Sequence, residues 1–139
     1  MPIPAEYQRA TDDFYKFLLD ARDMAELGST HQTYTMVQGV LQTFRRRLDV
    51  KETILFAGIL PPVLRAIFVT DWNINERKRP FEDRATMTKE VQSLRNTHNL
   101  SPDNAIRIVA KALRNNIDEA ALDEVLAKLP KGAVEFWKP

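Results

Sequence analysis

The chain has 139 residues, enough for one domain or for two small lobes that share a core. Its apolar fraction of 44% and charged fraction of 28% are typical of globular proteins and exclude a wholly disordered chain. The 20 basic and 19 acidic side chains leave a net charge of +1, which excludes the strong positive field of a duplex-binding domain. The absence of cysteine excludes disulfides, thiolate metal sites and a cysteine nucleophile.

Two long amphipathic helices are predicted first, because apolar residues recur there at helical spacing. The first stripe consists of Phe14, Phe17, Leu18, Ala21, Met24 and Leu27. Gly28 is the expected stop of this helix. The second stripe consists of Tyr34, Val37, Leu41, Phe44 and Leu48. The basic run 45–47 at its end suits the negative end of the helix dipole.

A short helix and a proline corner follow. Asp49 and Glu52 have the spacing of a capping box, in which each side chain accepts a hydrogen bond from the backbone N–H of the other residue. The segment 54–60 is apolar on most of its surface, which predicts a short, largely buried helix. Pro61 and Pro62 end it, and proline also suits the first turn of a next helix.

The segment 71–83 interrupts the helical pattern and is predicted to be a linker anchored by Trp72. It carries the basic run Arg77, Lys78 and Arg79, and Arg84 lies just beyond it. Aromatic residues interleaved with basic ones can stack on bases while the cations contact phosphate. The alternative is a solvated linker whose aromatic residues dock on the core, and it is favoured because nearby acidic residues dilute the charge.

Helical spacing then resumes. Met87, Val91, Leu94 and His98 form one stripe. Ser101 is the predicted N-cap of the next helix, with Pro102 at its first position. That helix carries the stripe Ile106, Val109, Leu113 and Ile117. Asp118 is the predicted cap of a short helix that carries Leu122, Val125, Leu126 and Leu129 and ends at Pro130.

The two halves correspond at an offset of 69 residues. This offset pairs Asp49 with Asp118 and Leu60-Pro61 with Leu129-Pro130, and it keeps the apolar register. The first helix of each half departs from it by a few residues. We therefore predict an all-α fold of two tandem helical units, about eight helices in total, packed as one compact bundle. The first unit spans residues 1–70, the linker 71–83 and the second unit 84–139.

These pieces resemble the family catalogued as domain of unknown function 2267. The matching features of the first half are the helix from Val40 to Leu48, the acid-capped helix with Asp49 and Glu52, and the Leu60-Pro61 corner. They are followed by Asp71-Trp72 in the linker and, in the second unit, by the segments 105–113 and 118–137. Two departures are Gly28-Ser29-Thr30, where Gly-Leu usually closes the first helix, and Ala121, where a second capping Glu is common. The resemblance implies a bacterial cytosolic helical protein and implies no activity.

The sequence predicts no catalytic, cofactor-binding or metal-binding residue. His31 and His98 have no partner at helical spacing, and a lone His supplies one ligand where structural zinc needs four. No serine lies in a nucleophile-elbow motif, and no glycine-rich loop is present to hold phosphates. The acidic residues of the first helix are expected to form a solvated, ion-paired face.

Three functional hypotheses remain. The first is a non-catalytic protein-interaction or regulatory module, with a protein partner or self-association, because grooves between helical hairpins accept partner helices. The second is weak nucleic-acid binding through the basic linker 77–84. The third is a small-ligand carrier or an enzyme with a site between the units. The expected interaction residues are Trp72, Arg77, Lys78, Arg79 and Arg84. The N-terminus lacks signal-peptide character and the apolar runs are too short to span a bilayer, so a cytoplasmic location is expected.

Overall fold

The computed structural model describes residues 2–139 and contains only helices over that range. The predicted all-α class is confirmed. Within the described residues the elements are α1 (Ala5–Gln8), α2 (Ala10–Ala25), α3 (Thr30–Arg45), α4 (Val50–Ala57), α5 (Pro62–Val69), α6 (Arg84–Ser93), α7 (Ala105–Asn116), α8 (Glu119–Leu126) and α9 (Ala133–Phe136). None of these helices has the length and apolar character needed to cross a membrane. The chain holds no cysteine and therefore no disulfide.

Helix α3 is the centre of the bundle. It packs against α2, α5, α6 and α7, and all but one of its residues from Thr33 to Arg45 are buried. Gly39 allows the close approach of α6, since a Cβ there would lie 2.9 Å from the carbonyl oxygen of Val91. Val37, Leu41 and Phe44 of the predicted stripe are buried, Tyr34 is half-buried, and the helix ends before Leu48. Polar residues on the other faces of α3 are buried too.

The helix ends follow local chemistry. The Asp49 carboxylate accepts from the Glu52 N–H, and the Glu52 carboxylate accepts from the Asp49 N–H, each at 2.8 Å, so the predicted capping box is confirmed. Asp118 caps α8 by accepting from the Ala121 N–H, as predicted. Helix α5 begins at Pro62, where the missing N–H costs no helical hydrogen bond.

An aromatic cluster joins helices α3 to α5 of the first half to the C-terminal helix. Its members are Phe44, Phe56, Phe68, Phe136 and Trp137, and each is buried. Phe56 contacts both Phe68 and Trp137, with ring centroids 5.2 and 5.5 Å away. Such pairs stabilise a core beyond the area they bury, so this cluster holds α9 on the bundle.

The contacts between the two halves agree with a repeat in which α2 corresponds to α6, α3 to α7 and α4 to α8. Helix α2 packs on α7 while α6 packs on α3, and α4 packs on α8. Arg45 donates to the carbonyl oxygen of Phe68 at 2.9 Å, and Arg114 donates to that of Trp137 at 3.0 Å. Both pairs obey the offset of 69 residues. The division into two units remains a prediction, which these matched contacts support.

The predicted start of α7 is wrong. The helix begins at Ala105 after Asn104, not after Ser101. Ser101 is buried, and its carbonyl oxygen accepts from the Gln92 side chain at 2.9 Å. This contact with α6 holds Ser101 in the loop that precedes the helix. The stripe through His98 is also too long, since α6 ends at Ser93.

The burial predicted for segment 54–60 is only partly correct. Phe56 and Leu60 are buried, but Ile54 is 62% exposed and Leu55 39% exposed. Helix α4 packs on α5 and α8 and leaves its remaining face to solvent. That exposed face belongs to the candidate site.

Candidate interaction surface

Of the predicted interaction residues, Arg84 is held inside the fold by hydrogen bonds to the backbone. Its guanidinium donates to the carbonyl oxygens of Glu135 and Phe136, each at 3.0 Å, and to that of Lys138. These carbonyls close α9, where the helix dipole is negative. Burial lowers the pKa of the Arg84 guanidinium from its usual value. Arg84 therefore ties the C-terminal helix to the start of α6.

The three cations of the linker differ in their surroundings. Arg79 donates to Glu90 at 2.8 Å and lies 3.6 Å from Glu76. The Lys78 ammonium lies 3.6 Å from the Glu52 carboxylate. Arg77 is exposed and has no ion pair within residues 2–139. The three cations thus make separate contacts, and Arg77 is the one most available to a partner.

Sequence reasoning missed the ion cluster beneath the linker. Arg47, which is 1% exposed, donates to both carboxylate oxygens of Glu90, at 2.8 and 3.2 Å. Burial raises the pKa of Glu90, but the hydrogen bond and charge of Arg47, together with Arg79, outweigh it and hold the pKa below its usual range. The pairing joins residues far apart in sequence, so no local pattern could have indicated it.

A groove lies between the end of α3, the start of α4 and the linker. Its volume is about 170 Å³. Trp72, Val50 and Ile74 are among its apolar lining residues, and Arg77 and Lys78 are among its cations. The structure therefore brings three of the five predicted interaction residues together around one groove. Arg79 and Arg84 do not line it.

Beside this groove lies the exposed apolar surface of α4, which we call the α4 face. It consists of Val50, Ile54 and Leu55. Ile74 of the linker is 61% exposed and shares the groove with Val50. At the offset of 69 residues, the matching positions on α8 are Glu119, Asp123 and Glu124. The same helix positions thus carry exposed acids in one half, two of them paired with Arg114, and exposed aliphatic residues in the other.

The two histidines share a second surface depression that the sequence did not indicate. His31 and His98 both line an open pocket of about 420 Å³, together with Thr35 and Thr97. In residues 2–139 there is no group of three or more His, Cys, Asp or Glu side chains placed to hold a metal ion. The histidine pair alone supplies too few ligands for a structural zinc site.

The helices that build these surfaces fall within one region of similarity. Residues 14–136 match the family described as uncharacterized conserved protein (DUF2267). The chain belongs to the DUF2267 family. The predicted membership is therefore confirmed, and the α4 face and the linker groove both lie inside the DUF2267 region. No curated protein matches the chain significantly.

Proposed function

We propose that this DUF2267 member is a non-catalytic interaction module that binds a protein partner through the α4 face and the adjoining groove. One observation carries the proposal: Val50, Ile54 and Leu55 are exposed at positions where α8 has acidic residues. Leaving large aliphatic side chains in water gains nothing for folding, whereas contiguous exposed apolar surface is typical of binding sites.

The charges around the α4 face favour an acidic partner segment. Arg77 lines the groove and the exposed Lys51 follows Val50 on the helix, whereas Lys78, which also lines the groove, is paired with Glu52 at 3.6 Å. The nearby acids are already engaged, because Asp49 and Glu52 form the capping box. A partner helix with an apolar stripe and flanking carboxylates would bury the α4 face and meet these cations.

Nucleic-acid binding through the linker has less support. Arg84 is committed to the end of α9 and Arg79 to Glu90. The remaining cations, Arg77 and Lys78, are too few for a phosphate-tracking surface. An enzyme or a small-ligand carrier would need a cavity, and the α4 face does not provide one.

The proposal is tested by photocrosslinking in cells from an unnatural apolar side chain at position 55, introduced both into the otherwise wild-type chain and into the variant Ile54→Asp. This variant copies the residue that α8 carries at the matching position, Asp123. We expect wild type to crosslink to a defined partner and Ile54→Asp to lose its capture by at least about tenfold, since a charge in an apolar interface is left unpaired.

Glu124→Gln is the matched control. Its side chain is exposed on α8 at the position that corresponds to Leu55, so capture should be unchanged. Sedimentation of both variants distinguishes a foreign partner from a second copy of this chain, which would appear as a dimer that Ile54→Asp dissociates. Equal capture by wild type and Ile54→Asp would reject the α4 face as the binding surface.

A further inference from the structure

The two halves differ in how one arginine is neutralised. Arg45 and Arg114 correspond at the offset of 69 residues, and each donates to the backbone carbonyl at the matching position of its own half. In the second half, Nη1 of Arg114 lies 2.9 Å from the Asp123 carboxylate and 3.5 Å from that of Glu119. The charge of Arg114 is thus balanced by two carboxylates of the neighbouring helix α8.

The first half lacks both carboxylates. Val50 and Ile54 of the α4 face stand where α8 has Glu119 and Asp123. Within residues 2–139 the Arg45 guanidinium forms hydrogen bonds to backbone carbonyls and no ion pair. The aliphatic residues whose exposure marks the α4 face therefore replace the acids that neutralise the matching arginine.

Arg45 is a buried charge without an adjacent carboxylate. It is 4% exposed, and its Nη1 donates to two carbonyl oxygens, each at 2.9 Å. Burial, reinforced by the neighbouring Arg46, lowers the pKa of this guanidinium, whereas Glu76 and Asp71 raise it from beyond ion-pair distance. Glu76 is itself paired with Arg46 and Arg79. The protein's own groups thus compensate the desolvation of Arg45 only in part.

The linker groove gives a ligand access to Arg45, which lines it together with Val50 and Arg77. The groove volume of about 170 Å³ admits a single side chain but lies below the range of about 300–1,000 Å³ that is typical of small-molecule sites. The second half shows that carboxylates can reach such an arginine from solvent. The side chains of its two acids are 57% and 58% exposed, whereas that of Arg114 is 11% exposed. These features favour a side chain of a protein partner over a free small molecule.

We infer that the partner places an Asp or Glu side chain in the linker groove, where its carboxylate pairs with Arg45 as Asp123 pairs with Arg114. The inference rests on the proposed function and names the contact that anchors the partner beside the α4 face. Because Arg45 is desolvated, a charged hydrogen bond to it contributes more to binding than a contact with the exposed Arg77. Once the partner holds Arg45, the carboxylate introduced by Ile54→Asp finds no free cation there, which agrees with the loss of capture expected for that variant.

The free protein tests whether Arg45 can accept a carboxylate. Ile54→Asp copies Asp123 of the second half, and Ile54→Asn has the same shape without the charge. We expect the Nε–Hε signal of Arg45 in NMR spectra to differ between the two variants, and we expect Ile54→Asp to have an about threefold larger folding equilibrium constant at low salt. Asp123→Asn, the matched change on α8, should lower this constant about threefold. An Arg45 signal that is identical in both position-54 variants would overturn the inference.

Photocrosslinking from position 55 tests the same contact with the partner. Arg45→Gln should reduce capture at least about tenfold, because the partner's carboxylate loses its cation. Arg45→Lys, which keeps the charge without the planar fork, should retain part of the capture and separates loss of charge from loss of folding. Arg114→Gln, the matched change in the second half, should leave capture unchanged.

The outcomes separate this inference from the proposed function. Capture that Ile54→Asp abolishes but Arg45→Gln preserves would leave the α4 face as the binding surface and overturn the role of Arg45. Absence of a crosslinked partner for the wild-type chain would reject the proposed function, and with it a partner side chain as the occupant of the groove. An Arg45 signal shifted by Ile54→Asp would in that case still support a carboxylate site at Arg45.

Discussion

The buried pairing of Arg47 with Glu90 leads to the prediction that Glu90→Gln destabilises the protein by about 3 kcal/mol. Glutamine keeps the shape of the side chain but removes the charge that faces Arg47 and Arg79 at 2.8 Å each. Removing one partner of a buried ion pair costs about 3–5 kcal/mol, because the other charge stays desolvated. The lower value applies here, since Glu82 at 3.3 Å and the Thr43 carbonyl at 2.8 Å still accept from Arg47.

The pH dependence of this loss is also determined by the structure. The pKa of Glu90 is lowered in the folded state relative to its usual value of 4.5. Stability from such a carboxylate is present above the unfolded-state pKa and disappears as the pH falls through the folded-state pKa. The difference in unfolding free energy between wild type and Glu90→Gln should therefore be constant near neutral pH and shrink below about pH 4.5.

Urea unfolding at a series of pH values measures both effects. In a thermal scan near neutral pH, the expected loss corresponds to a fall in Tm of roughly 10 °C. Glu124→Gln, which changes a largely exposed carboxylate, should alter the unfolding free energy by less than about 0.5 kcal/mol. A Glu90→Gln protein as stable as that control, or a difference that persists unchanged into strong acid, would refute the argument from buried charge.

Three further predictions concern the helix ends and the C-terminal helix. Gly132→Ala should lower the free energy of unfolding in urea by about 2 kcal/mol or more, because the backbone has φ +107° and the new Cβ would collide with Phe81. Gly28→Ala is the control and should leave the free energy of unfolding nearly unchanged, because its Cβ would meet nothing closer than 3.6 Å. Asp49→Ala should lower the unfolding free energy by about 1 kcal/mol through loss of the cap of α4, and an unchanged urea midpoint would contradict this. Arg84→Met should speed hydrogen exchange of the backbone N–H groups of α9, and wild-type protection in the variant would show that Arg84 does not hold this helix.

Features that depend on neighbouring residues could be predicted from the sequence. The caps at Asp49 and Asp118 require only side chains within three positions, and the start of α5 requires only Pro62. The start of α7 could not be predicted this way. There the Ser101 carbonyl accepts a hydrogen bond from the Gln92 side chain of α6, and the helix begins only at Ala105.

The residues of the candidate surfaces also divide into those that the sequence indicated and those that only the packing of the helices reveals. The residues Trp72, Arg77 and Lys78 were singled out by type and spacing, and the structure brings them to one groove. Arg47 could not be recognised as buried, because its partner Glu90 is reached only through the packing of α3 on α6. The exposure of Ile54 did have a sequence signal: the aligned position in the second half is Asp123.

The crossed packing of α2 on α7 and of α3 on α6 has a consequence for assembly. If the linker 71–83 extended away from the bundle, the first half of one chain could bind the second half of another chain through the same contacts, giving an intertwined dimer. Ion pairs of Glu76 with Arg46 and of Arg79 with Glu90 hold this segment folded back. Because Arg79 and Glu76 reach solvent, salt screens these ion pairs in part, and ionic strength is expected to shift the balance between the closed monomer and the exchanged dimer.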